Sequence, residues 1–453
     1  MLRSVNPATG TMRAEFAAHA DADIDRALDA AVVAQASWRR VPFEERVKVI
    51  SRLAQILRAN QSEYARIITE EMGKPIGEAL AEVEKCAWCC DYYAEQAPTM
   101  LADEAVETAA SESYVSYDPL GVVLAVMPWN YPFWQVFRFL APALAAGNGA
   151  ILKHASNVPE CALMVADAVK KAGFPDGLFA TLLISASKVE GLIKDQRIAA
   201  VTLTGSTEVG MIIAAQAGSV IKKQVLELGG SDPFIVLADA DLEKAAQVAA
   251  KARFHNAGQS CISPKRFIVE AKIADDFVDA LCAHVDQIKL GDPLSSDTTM
   301  GPMARNNLRG DLHEIVTATI AAGAKVIRGG APSDGAGAFY PPTLLDGVEA
   351  AMPSFRIETF GPVGNIVRAT DASAAISLAN DTEFGLGASL WTSDIEKGRS
   401  LMRDIDAGAV FLNSMVASDP RIPFGGIKMS GYGRELGVLG LREFTNIKTN
   451  MIA

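Results

Sequence analysis

The chain has 453 residues, of which 49% are hydrophobic and 21% are charged. This length and composition exclude disorder as the main state and favour two or three compact units. Acidic residues outnumber basic ones by 54 to 42, a formal charge of −12, so we expect neither nucleic acid nor a membrane surface as a partner.

The N-terminal part of the chain is predicted to be helical. Ile24, Leu28 and Ala31 recur with the period of a helix, behind two aspartates that suit a helix start. A second amphipathic pattern, at residues 43–58, begins directly after Pro42 and has an arginine in its last turn. The opening sequence MLRSVNPATG has no long apolar run, so we expect no signal peptide.

The cysteines indicate a reducing environment. Six cysteines in a chain of this length are too few for a disulfide framework, which favours a cytoplasmic protein. Cys86, Cys89 and Cys90 form a CxxCC cluster, but no histidine lies near it and no second cysteine pair follows. On a helix the three side chains would pack side by side, and we favour core packing over a metal site.

The middle of the chain predicts strands. Residues 114–126 read as two strands around an Asp-Pro-Leu-Gly turn. The apolar stretch at 121–152 is interrupted by prolines, an arginine and an asparagine, so we do not expect it to cross a bilayer as one helix.

Beyond this point, apolar strands alternate with helices. The predicted strands are 149–152, 198–203, 225–228 and 233–237, and the predicted helices are 160–171, 207–217 and one that begins near 239–241. A second series of strands begins at 265–270 and 324–328. The alternation predicts an α/β protein with a mostly parallel sheet, an architecture that binds nucleotides at the carboxyl ends of its strands.

Three residues are candidates for chemistry. Cys261 follows a Gly-Gln-Ser run, and such a loop can present a thiol at a turn where backbone N–H groups favour the thiolate. Glu227 lies in an apolar strand, where burial raises a carboxyl pKa towards that of a general base. Asn130 has a proline two residues away on either side, a rigid mount for a hydrogen-bond donor. The structural alternatives are an inert thiol, an ion pair and an ordered turn.

Two further features indicate a nucleotide. Thr204-Gly-Ser-Thr-Glu-Val-Gly210 follows a predicted strand and opens a helix, so its backbone N–H groups could bind a pyrophosphate. Lys153 stands at the end of an earlier strand, where its charge could reach a ribose or a phosphate. Neither feature is specific alone, since the first is not GxGxxG.

Seven short motifs occur along the chain in a characteristic order. They are Pro128-Trp-Asn-Tyr-Pro132, Leu152-Lys-His-Ala-Ser156, Thr204-Gly-Ser206, Glu227-Leu-Gly-Gly230, Gly258-Gln-Ser-Cys261, Glu358-Thr-Phe-Gly-Pro362 and Pro423-Phe-Gly-Gly-Ile-Lys428. In this order they resemble the aldehyde dehydrogenase superfamily over essentially the whole chain, and most closely its succinate-semialdehyde dehydrogenase branch.

The resemblance implies a role for each candidate. Cys261 would attack the aldehyde carbon, and the side-chain amide of Asn130 with the backbone N–H of Cys261 would hold the oxyanion of the thiohemiacetal. Hydride transfer to the nicotinamide would leave a thioester. Glu227 would then activate the water that releases the carboxylic acid.

The resemblance also implies a cofactor site. Its positions are Trp129, Lys153, Ser156, Gly205, Ser206, Leu228, Glu358 and Phe360. By the resemblance, Lys153 contacts the adenosine ribose, Ser206 the pyrophosphate and Glu358 the nicotinamide ribose. NAD-preferring relatives usually carry a glutamate where this chain has Ser156, and a serine there does not repel a 2′-phosphate. We therefore expect NADP to be preferred, with NAD as the alternative.

The residues expected to bind the substrate match those of relatives less completely than the cofactor residues do. Arg138 matches an arginine that semialdehyde dehydrogenases use to hold the distal carboxylate, a group that a guanidinium binds well. His255 stands where some relatives place a second arginine, and Arg421 precedes the Pro-Phe-Gly-Gly motif, where it could compensate. Trp134 is a candidate for the pocket wall. Ion pairs are the alternative for both arginines, and packing is the alternative for Trp134.

The predicted function is NAD(P)-dependent oxidation of succinate semialdehyde to succinate. A broad-specificity enzyme, or another short-chain aldehyde dehydrogenase such as one for glutarate semialdehyde, is the alternative within the class. A cofactor-independent cysteine esterase would use Cys261 and Glu227 but would leave Lys153 and Glu358 without a purpose. A non-catalytic binding protein would not need nucleophile, base and oxyanion donor together.

The implied fold is α/β and aldehyde dehydrogenase-like, with a Rossmann-like cofactor domain, an α/β catalytic domain and a small β oligomerisation element. We place the NAD(P)-binding domain at 1–102 and 120–228, the catalytic domain at 229–430, and the oligomerisation element at 103–119 and 431–453. This element would combine a hairpin around Asp118-Pro119 with the C-terminal tail. Pairing of its strands across subunits predicts a homodimer or homotetramer.

Overall fold

The structure is a computed structural model that describes all residues from 1 to 453, with fifteen α-helices and twenty β-strands. The strands are β1 (Leu2–Val5), β2 (Met12–Phe16), β3 (Glu104–Ala105), β4 (Glu112–Pro119), β5 (Val122–Met127), β6 (Gly149–His154), β7 (Phe179–Thr181), β8 (Ile198–Thr204), β9 (Lys223–Glu227), β10 (Pro233–Val236), β11 (Arg266–Glu270), β12 (Lys325–Arg328), β13 (Thr343–Asp346), β14 (Val363–Ala369), β15 (Phe384–Gly385), β16 (Gly387–Trp391), β17 (Ala409–Leu412), β18 (Ile427–Lys428), β19 (Gly431–Tyr432) and β20 (Thr445–Ile452). The helices are α1 (Asp21–Trp38), α2 (Phe43–Ala59), α3 (Gln61–Met72), α4 (Ile76–Met100), α5 (Trp134–Ala146), α6 (Pro159–Ala172), α7 (Val189–Lys194), α8 (Thr207–Gly218), α9 (Leu242–Phe254), α10 (Ala274–Val285), α11 (Asn306–Ala321), α12 (Pro353–Arg356), α13 (Ala372–Asn380), α14 (Ile395–Leu401) and α15 (Gly437–Glu443).

A six-stranded sheet combines five strands from the first half of the chain with β19 from its end. Its order is β19-β9-β8-β5-β6-β7, and all neighbours are parallel except β19, which runs antiparallel to β9 at the edge. On β5, Val123 and Ala125 belong to one core cluster while Leu124 and Val126 belong to another. Because side chains alternate along a strand, both faces of this sheet are covered, as the apolar strands predict.

A seven-stranded sheet occupies the second half. Its order is β12-β13-β14-β11-β10-β16-β17, and only β12 is antiparallel to its neighbour. Phe234 and Ile235, consecutive on β10, likewise belong to different core clusters. The predicted alternation of strands and helices around mostly parallel sheets is therefore confirmed in both halves.

Helix α4 carries the CxxCC cluster. Cys86, Cys89 and Cys90 are fully buried in the core between α4 and its neighbours, which confirms core packing. None of the helices combines the length and the apolar composition needed to cross a bilayer.

A three-stranded sheet, in the order β20-β4-β3, differs from the predicted arrangement. The two strands around the Asp-Pro-Leu-Gly turn exist as β4 and β5, but they belong to different sheets, so the predicted hairpin around Asp118-Pro119 is wrong. All six residues of β5 are buried, whereas β4 is mostly half-exposed, and a strand that is apolar on both faces belongs in the centre of a covered sheet. β4 instead pairs with β20 over its whole length. β19, at the start of the predicted element 431–453, joins the six-stranded sheet.

Candidate active site

Candidate residues from the first half of the chain lie at one edge of the six-stranded sheet. Asn130 follows β5, Lys153 is the penultimate residue of β6, Gly205-Ser206 follows β8, and Glu227 ends β9. These strands are parallel neighbours, so their carboxyl ends meet at the same edge. Residues far apart in sequence therefore converge there.

The second half contributes Cys261 and Glu358. Each precedes by five residues one of two adjacent parallel strands, β11 and β14. The backbone N–H of Gly230 donates to Glu358 Oε1 at 3.2 Å, which joins the end of the first half to the second. The carboxyl edge of one sheet thus faces the amino edge of the other.

The loop before Cys261 has an unusual backbone. Asn256, Ala257 and Gly258 have φ angles of 53°, 52° and 69°, three consecutive residues in the left-handed region. A Cβ on Gly258 would lie 2.3 Å from the carbonyl oxygen of Gly361, so only glycine fits there. The side chain of Asn256 donates to the carbonyl oxygen of Asn130 at 2.8 Å and holds this loop against the first sheet. Such strain is typical of functional sites.

Two hydrogen-bond donors are available beside the sulfur. Asn130 Nδ2 donates to the carbonyl oxygen of Gln259 at 3.1 Å, and the amide has a second hydrogen. The backbone N–H of Cys261 donates to no acceptor in the chain. This pair could stabilise an oxyanion formed on a carbonyl carbon bonded to the sulfur.

The surroundings of Cys261 keep the thiol protonated. Burial raises its pKa to about 12; Lys265 and Arg138 oppose the shift, and the carboxylates of Glu358 and Glu227 add to it. Lys265 also donates to the carbonyl oxygen of Cys261, so one cation both fixes the loop and favours the thiolate.

Glu227 is a buried carboxyl group without a hydrogen-bond partner on either oxygen. Burial raises its pKa well above the ordinary range, Arg138 opposes the shift, and Glu435 adds to it. A carboxylate in such surroundings takes up a proton more readily than one in water.

Two cavities meet at Cys261. One, of about 290 Å³, is lined by residues that include Trp129, Asn130, Gly205, Ser206, Leu228, Glu358 and Phe360. The other, of about 180 Å³, is lined by residues that include Lys85, Tyr131, Trp134, Arg138, His255 and Ser418. Cys261 and Gln135 line both. We call them the Ser206 cavity and the Trp134 cavity.

A third cavity, of about 700 Å³, contains Lys153 and Ser156. Its cations are Lys153, Arg3 and Arg305, and no aspartate or glutamate lines it, although the chain as a whole is acidic. Arg305 also lines the Ser206 cavity, so the two are neighbours. Lys153 has no hydrogen-bond acceptor or ion-pair partner within the chain, and burial lowers its pKa.

The Ser206 cavity and the neighbouring cavity that contains Lys153 together fit a phosphorylated dinucleotide. Ser206 lines the Ser206 cavity and is the N-cap of the twelve-residue helix α8, where its side chain accepts a hydrogen bond from Val209 N–H at 3.4 Å. The amino end of α8, which favours anions, therefore begins at this cavity. Lys153, which has no ion-pair partner, lies beyond Arg305 and suits further phosphate. The donor set therefore fits a polyanionic cofactor.

The predicted substrate residues are only partly brought together. Arg138, His255 and Trp134 line the Trp134 cavity. Arg138 is buried and forms an ion pair with Glu435, and His255 Nδ1 lies 3.1 Å from Glu78. Both nominated groups are thus already bound to carboxylates of the chain.

Arg421 does not line this cavity. Its exposed guanidinium pairs with Asp419 at 2.6 Å and lies over the ring of Trp88. The structure thus places it in the ion pair that was its alternative interpretation.

Several site residues were missed by the sequence analysis. Lys85 and Ser418 line the Trp134 cavity, Arg305 lines two cavities, and Lys265 holds the Cys261 loop. Lys265 is four residues from Cys261 and could have been considered. The other three carry no local signal, since only the fold brings them to the site.

Comparisons with known proteins agree with one another. A family model described as "Aldehyde dehydrogenase family" matches residues 1–450. The probable succinate-semialdehyde dehydrogenase (NADP(+)) of Synechocystis sp. is 52% identical over 452 residues, 100% of each chain. Succinate-semialdehyde dehydrogenase (NADP(+)) 1 of Mycobacterium tuberculosis is 48% identical over 455 residues, also 100% of each. A crystal structure of succinic semialdehyde dehydrogenase from Streptococcus pyogenes in complex with NADP+ matches with a TM-score of 0.97 and 38% identity, covering 100% of both chains.

Proposed function

The chain belongs to the aldehyde dehydrogenase family, and from that premise we propose that it oxidises succinate semialdehyde to succinate with NADP as the hydride acceptor. Family membership confirms the resemblance seen in the sequence. Full-length relatives named as NADP-dependent succinate-semialdehyde dehydrogenases, at 52% and 48% identity, support the substrate and the cofactor. The observation that carries the proposal is the position of Cys261 between two cavities, one suited to an aldehyde and one to a dinucleotide.

Cys261 is the proposed nucleophile. Its sulfur attacks the carbonyl carbon of the aldehyde, the thiol proton leaves to solvent, and the carbonyl oxygen takes up the negative charge. The Asn130 amide and the free N–H of Cys261 stabilise that oxyanion. A covalent hemithioacetal is needed because a hydride leaves a carbon readily only when an adjacent oxyanion expels it.

NADP, when bound, supplies the acceptor for that hydride. The thioester left on Cys261 is then hydrolysed: Glu227 accepts a proton from water, the water oxygen attacks the thioester carbon, and the sulfur leaves as thiolate. The buried, unpartnered carboxyl group of Glu227, with its raised pKa, supports this role of general base.

The cofactor positions are proposed from the cavities they line. Lys153 and Ser156, with Arg305, would hold the adenosine side, and the 2′-phosphate would meet cations and a hydroxyl but no carboxylate. Gly205-Ser206 would receive the pyrophosphate at the start of α8. Glu358 and its neighbours Trp129, Leu228 and Phe360, which line the Ser206 cavity, would hold the nicotinamide ribose and ring. NAD would remain the weaker alternative.

The division of labour in the chain is also proposed. The region of the six-stranded sheet would bind the cofactor, that of the seven-stranded sheet would present the nucleophile, and the three-stranded sheet would join subunits into a homodimer or homotetramer. The edge strand β20 supports the last point, since Ile447 and Met451 on it are each 62% exposed. Six free cysteines, five of them buried, support a reducing cytoplasmic location.

A panel of aldehydes tests the proposed function. Succinate semialdehyde, glutarate semialdehyde and butanal would each be assayed with NADP and with NAD by the absorbance of the reduced nicotinamide. We expect kcat/KM to be highest for succinate semialdehyde with NADP, and at least about tenfold above butanal, because a carboxylate gains a charge-assisted contact. Preference for glutarate semialdehyde or butanal would reject the substrate, and strong preference for NAD would reject the cofactor.

A further inference from the structure

Lys265 is a buried lysine that contacts both the nucleophile and the cofactor side of the site. It directly precedes strand β11, and its side chain is completely buried. Its Nζ donates to the carbonyl oxygen of Ser260 at 2.8 Å and to that of Cys261, and it lies 3.3 Å from Glu358 Oε1. An ammonium group has three hydrogens, so these three acceptors use all of them. Lys265 lines neither of the two cavities that meet at the sulfur, so it can act on a ligand only through its neighbours.

The backbone of Lys265 is held from both sides. Its N–H donates to the carbonyl oxygen of Asp232 at 3.0 Å, and its carbonyl oxygen accepts from the backbone N–H and the side-chain amide of Asn365 at 3.1 and 3.0 Å. Asp232 directly precedes β10 and Asn365 lies in β14, and these two strands flank β11 in the seven-stranded sheet. The lysine is therefore anchored at the centre of that sheet and can hold the loops at its amino edge.

The contact with Lys265 orients the carboxylate of Glu358. Its Oε1 is paired with Lys265 and accepts a hydrogen bond from the backbone N–H of Gly230 at 3.2 Å. Its Oε2 accepts no hydrogen bond within the chain, and Glu358 lines the cavity suited to the dinucleotide. Two donors thus hold one oxygen and leave the other to accept from a ligand hydroxyl. A carboxylate that is already oriented loses less conformational freedom when the ligand binds.

The same ammonium group acts on the nucleophile through its charge. The charged groups around the sulfur are two cations and two carboxylates: Lys265, Arg138, Glu358 and Glu227. Burial raises the pKa of the thiol, and Lys265 opposes that shift more than Arg138 does. Burial lowers the pKa of Lys265 itself, and the groups that oppose or add to this shift are Glu358, Asp232, Cys261 and Arg253. Of these only Arg253 adds to it, so two carboxylates help to keep the lysine charged.

We propose that Lys265 is a positioning residue that joins the nucleophile to the cofactor site. One buried ammonium group fixes the backbone that carries the sulfur and also holds the carboxylate that would bind the nicotinamide ribose. This inference rests on the proposed function, since it names the residue that aligns the thiol and the dinucleotide of that reaction. The effect of Lys265 on either reactant is transmitted by Cys261 and Glu358.

Alkylation of the free protein tests the effect on the nucleophile. Lys265→Met keeps the apolar stem of the side chain but removes its charge, and Lys265→Gln keeps two hydrogens for the carbonyl oxygens without a charge. At pH 8 we expect iodoacetamide to label Cys261 about tenfold more slowly in both variants, because an adjacent cation lowers a pKa by about one unit or more and the thiolate is the reacting species. Lys265→Gln also serves if Lys265→Met does not fold. A labelling rate within about twofold of wild type would overturn the proposal.

A double-mutant cycle tests the effect on the cofactor site. Quenching of tryptophan fluorescence would give the Kd for NADP. Lys265→Met should raise this Kd about three- to tenfold in the wild-type background, the range of one hydrogen bond. In the Glu358→Ala background the same change should alter Kd by less than about twofold, because the carboxylate through which the lysine acts is absent. Equal losses in both backgrounds would mean a general effect on the fold and would also overturn the proposal.

Lys272→Met is the matched control. It removes an exposed lysine just beyond the other end of β11, paired with Glu270 at 3.4 Å, and should change neither the labelling rate nor the Kd. If wild type binds NADP and the Lys265 variants behave like wild type, the role of Lys265 is rejected while the proposed function stands. If wild type binds no NADP, the proposed function fails, and the role of Lys265 fails with it.

Discussion

At the scale of single residues, the position of Cys261 favours reaction with a ligand, but its protonation state does not. It is the only one of the six cysteines that is partly exposed. The protein around the sulfur nevertheless shields it from water, and this burial raises the pKa of the thiol to about 12. A raised thiol pKa means that the neutral form dominates at physiological pH. In the free protein the nucleophile is therefore held mostly as the thiol.

Alkylation by iodoacetamide measures this state directly. Because the thiolate is the reacting species, we expect slow modification of the free protein at pH 7, with a rate that rises about tenfold for each pH unit up to pH 9. Intact-protein mass would follow the single label. Cys261→Ser should take up no label over the same time, since the other five cysteines are buried. A rate that levels off below pH 8 would contradict a raised pKa.

Ser156 is expected to decide between cofactors. Ser156→Glu places a carboxylate in a cavity that has none, so it should repel a 2′-phosphate and accept hydrogen bonds from a 2′-hydroxyl. We expect kcat/KM with NADP to fall by about 10- to 100-fold and kcat/KM with NAD to rise, because like charges in contact cost several kcal/mol. Ser156→Ala, which removes the hydroxyl without adding a charge, should cost NADP only a few-fold. Unchanged use of NADP by the glutamate variant would count against the assignment.

How far the site could be predicted depends on whether a residue's surroundings are local. Cys261, Glu227 and Asn130 stand in short motifs whose residue types already indicate their chemistry. The partners of the basic side chains are not local: Arg138 finds Glu435, and Lys85 finds Ser418, only after helices and sheets have packed. Sequence spacing identified Arg138 as an arginine at a suitable position. Its ion pair with Glu435 forms only in the tertiary structure, so the sequence could not show it.

At the scale of elements, regular periodicity was a reliable guide and turns were not. The strand predicted at 198–203 and the helix predicted at 207–217 are present as Ile198–Thr204 and Thr207–Gly218. Of the predicted Asp-Pro-Leu-Gly turn, Asp118 and Pro119 still belong to β4, and only the two residues 120–121 lie between β4 and β5. However, a turn signal says that the chain changes direction, not whether the next strand pairs back or joins another sheet. The burial of β5 on both faces decides that question, and burial depends on the rest of the fold.

Gly210 of helix α8 packs against Leu228, the residue that follows strand β9. A Cβ on Gly210 would lie 2.5 Å from both terminal methyl carbons of Leu228, which lines the Ser206 cavity. Gly210→Ala should push Leu228 into that cavity and raise the Kd for NADP about tenfold, since overpacking costs ~1–3 kcal/mol. Quenching of tryptophan fluorescence on titration with NADP would measure this.

Gly218→Ala is the matched control on the same helix. A Cβ at Gly218 meets nothing within 4 Å, so cofactor affinity should be unchanged. An equal loss of affinity in both variants would mean that α8 is generally perturbed and that the Leu228 contact is not the cause.

At the scale of the whole molecule, the acidic surface and the cationic cavity have separate functions. The formal charge of −12 keeps the exterior negative, while the cavity that contains Lys153 has three cations and no carboxylate. A phosphorylated cofactor is therefore attracted to one region of a surface that otherwise repels it.

The edge strand β20 is expected to hold subunits together. Ile447 and Met451 lie on the same face of the strand and are largely exposed, so Ile447→Lys with Met451→Lys should block an apolar contact with a second copy. Light scattering after size exclusion should then give the mass of one subunit, against a multiple for wild type. Asn446→Lys, an exposed position on the opposite face, should leave the assembly intact. A double variant that elutes as wild type does would locate the interface elsewhere.

Because two cavities meet at Cys261, the aldehyde and the dinucleotide can approach the sulfur from different sides. Because the aldehyde and the dinucleotide would occupy different cavities, we expect the acid product to leave through the Trp134 cavity without passing through the Ser206 cavity.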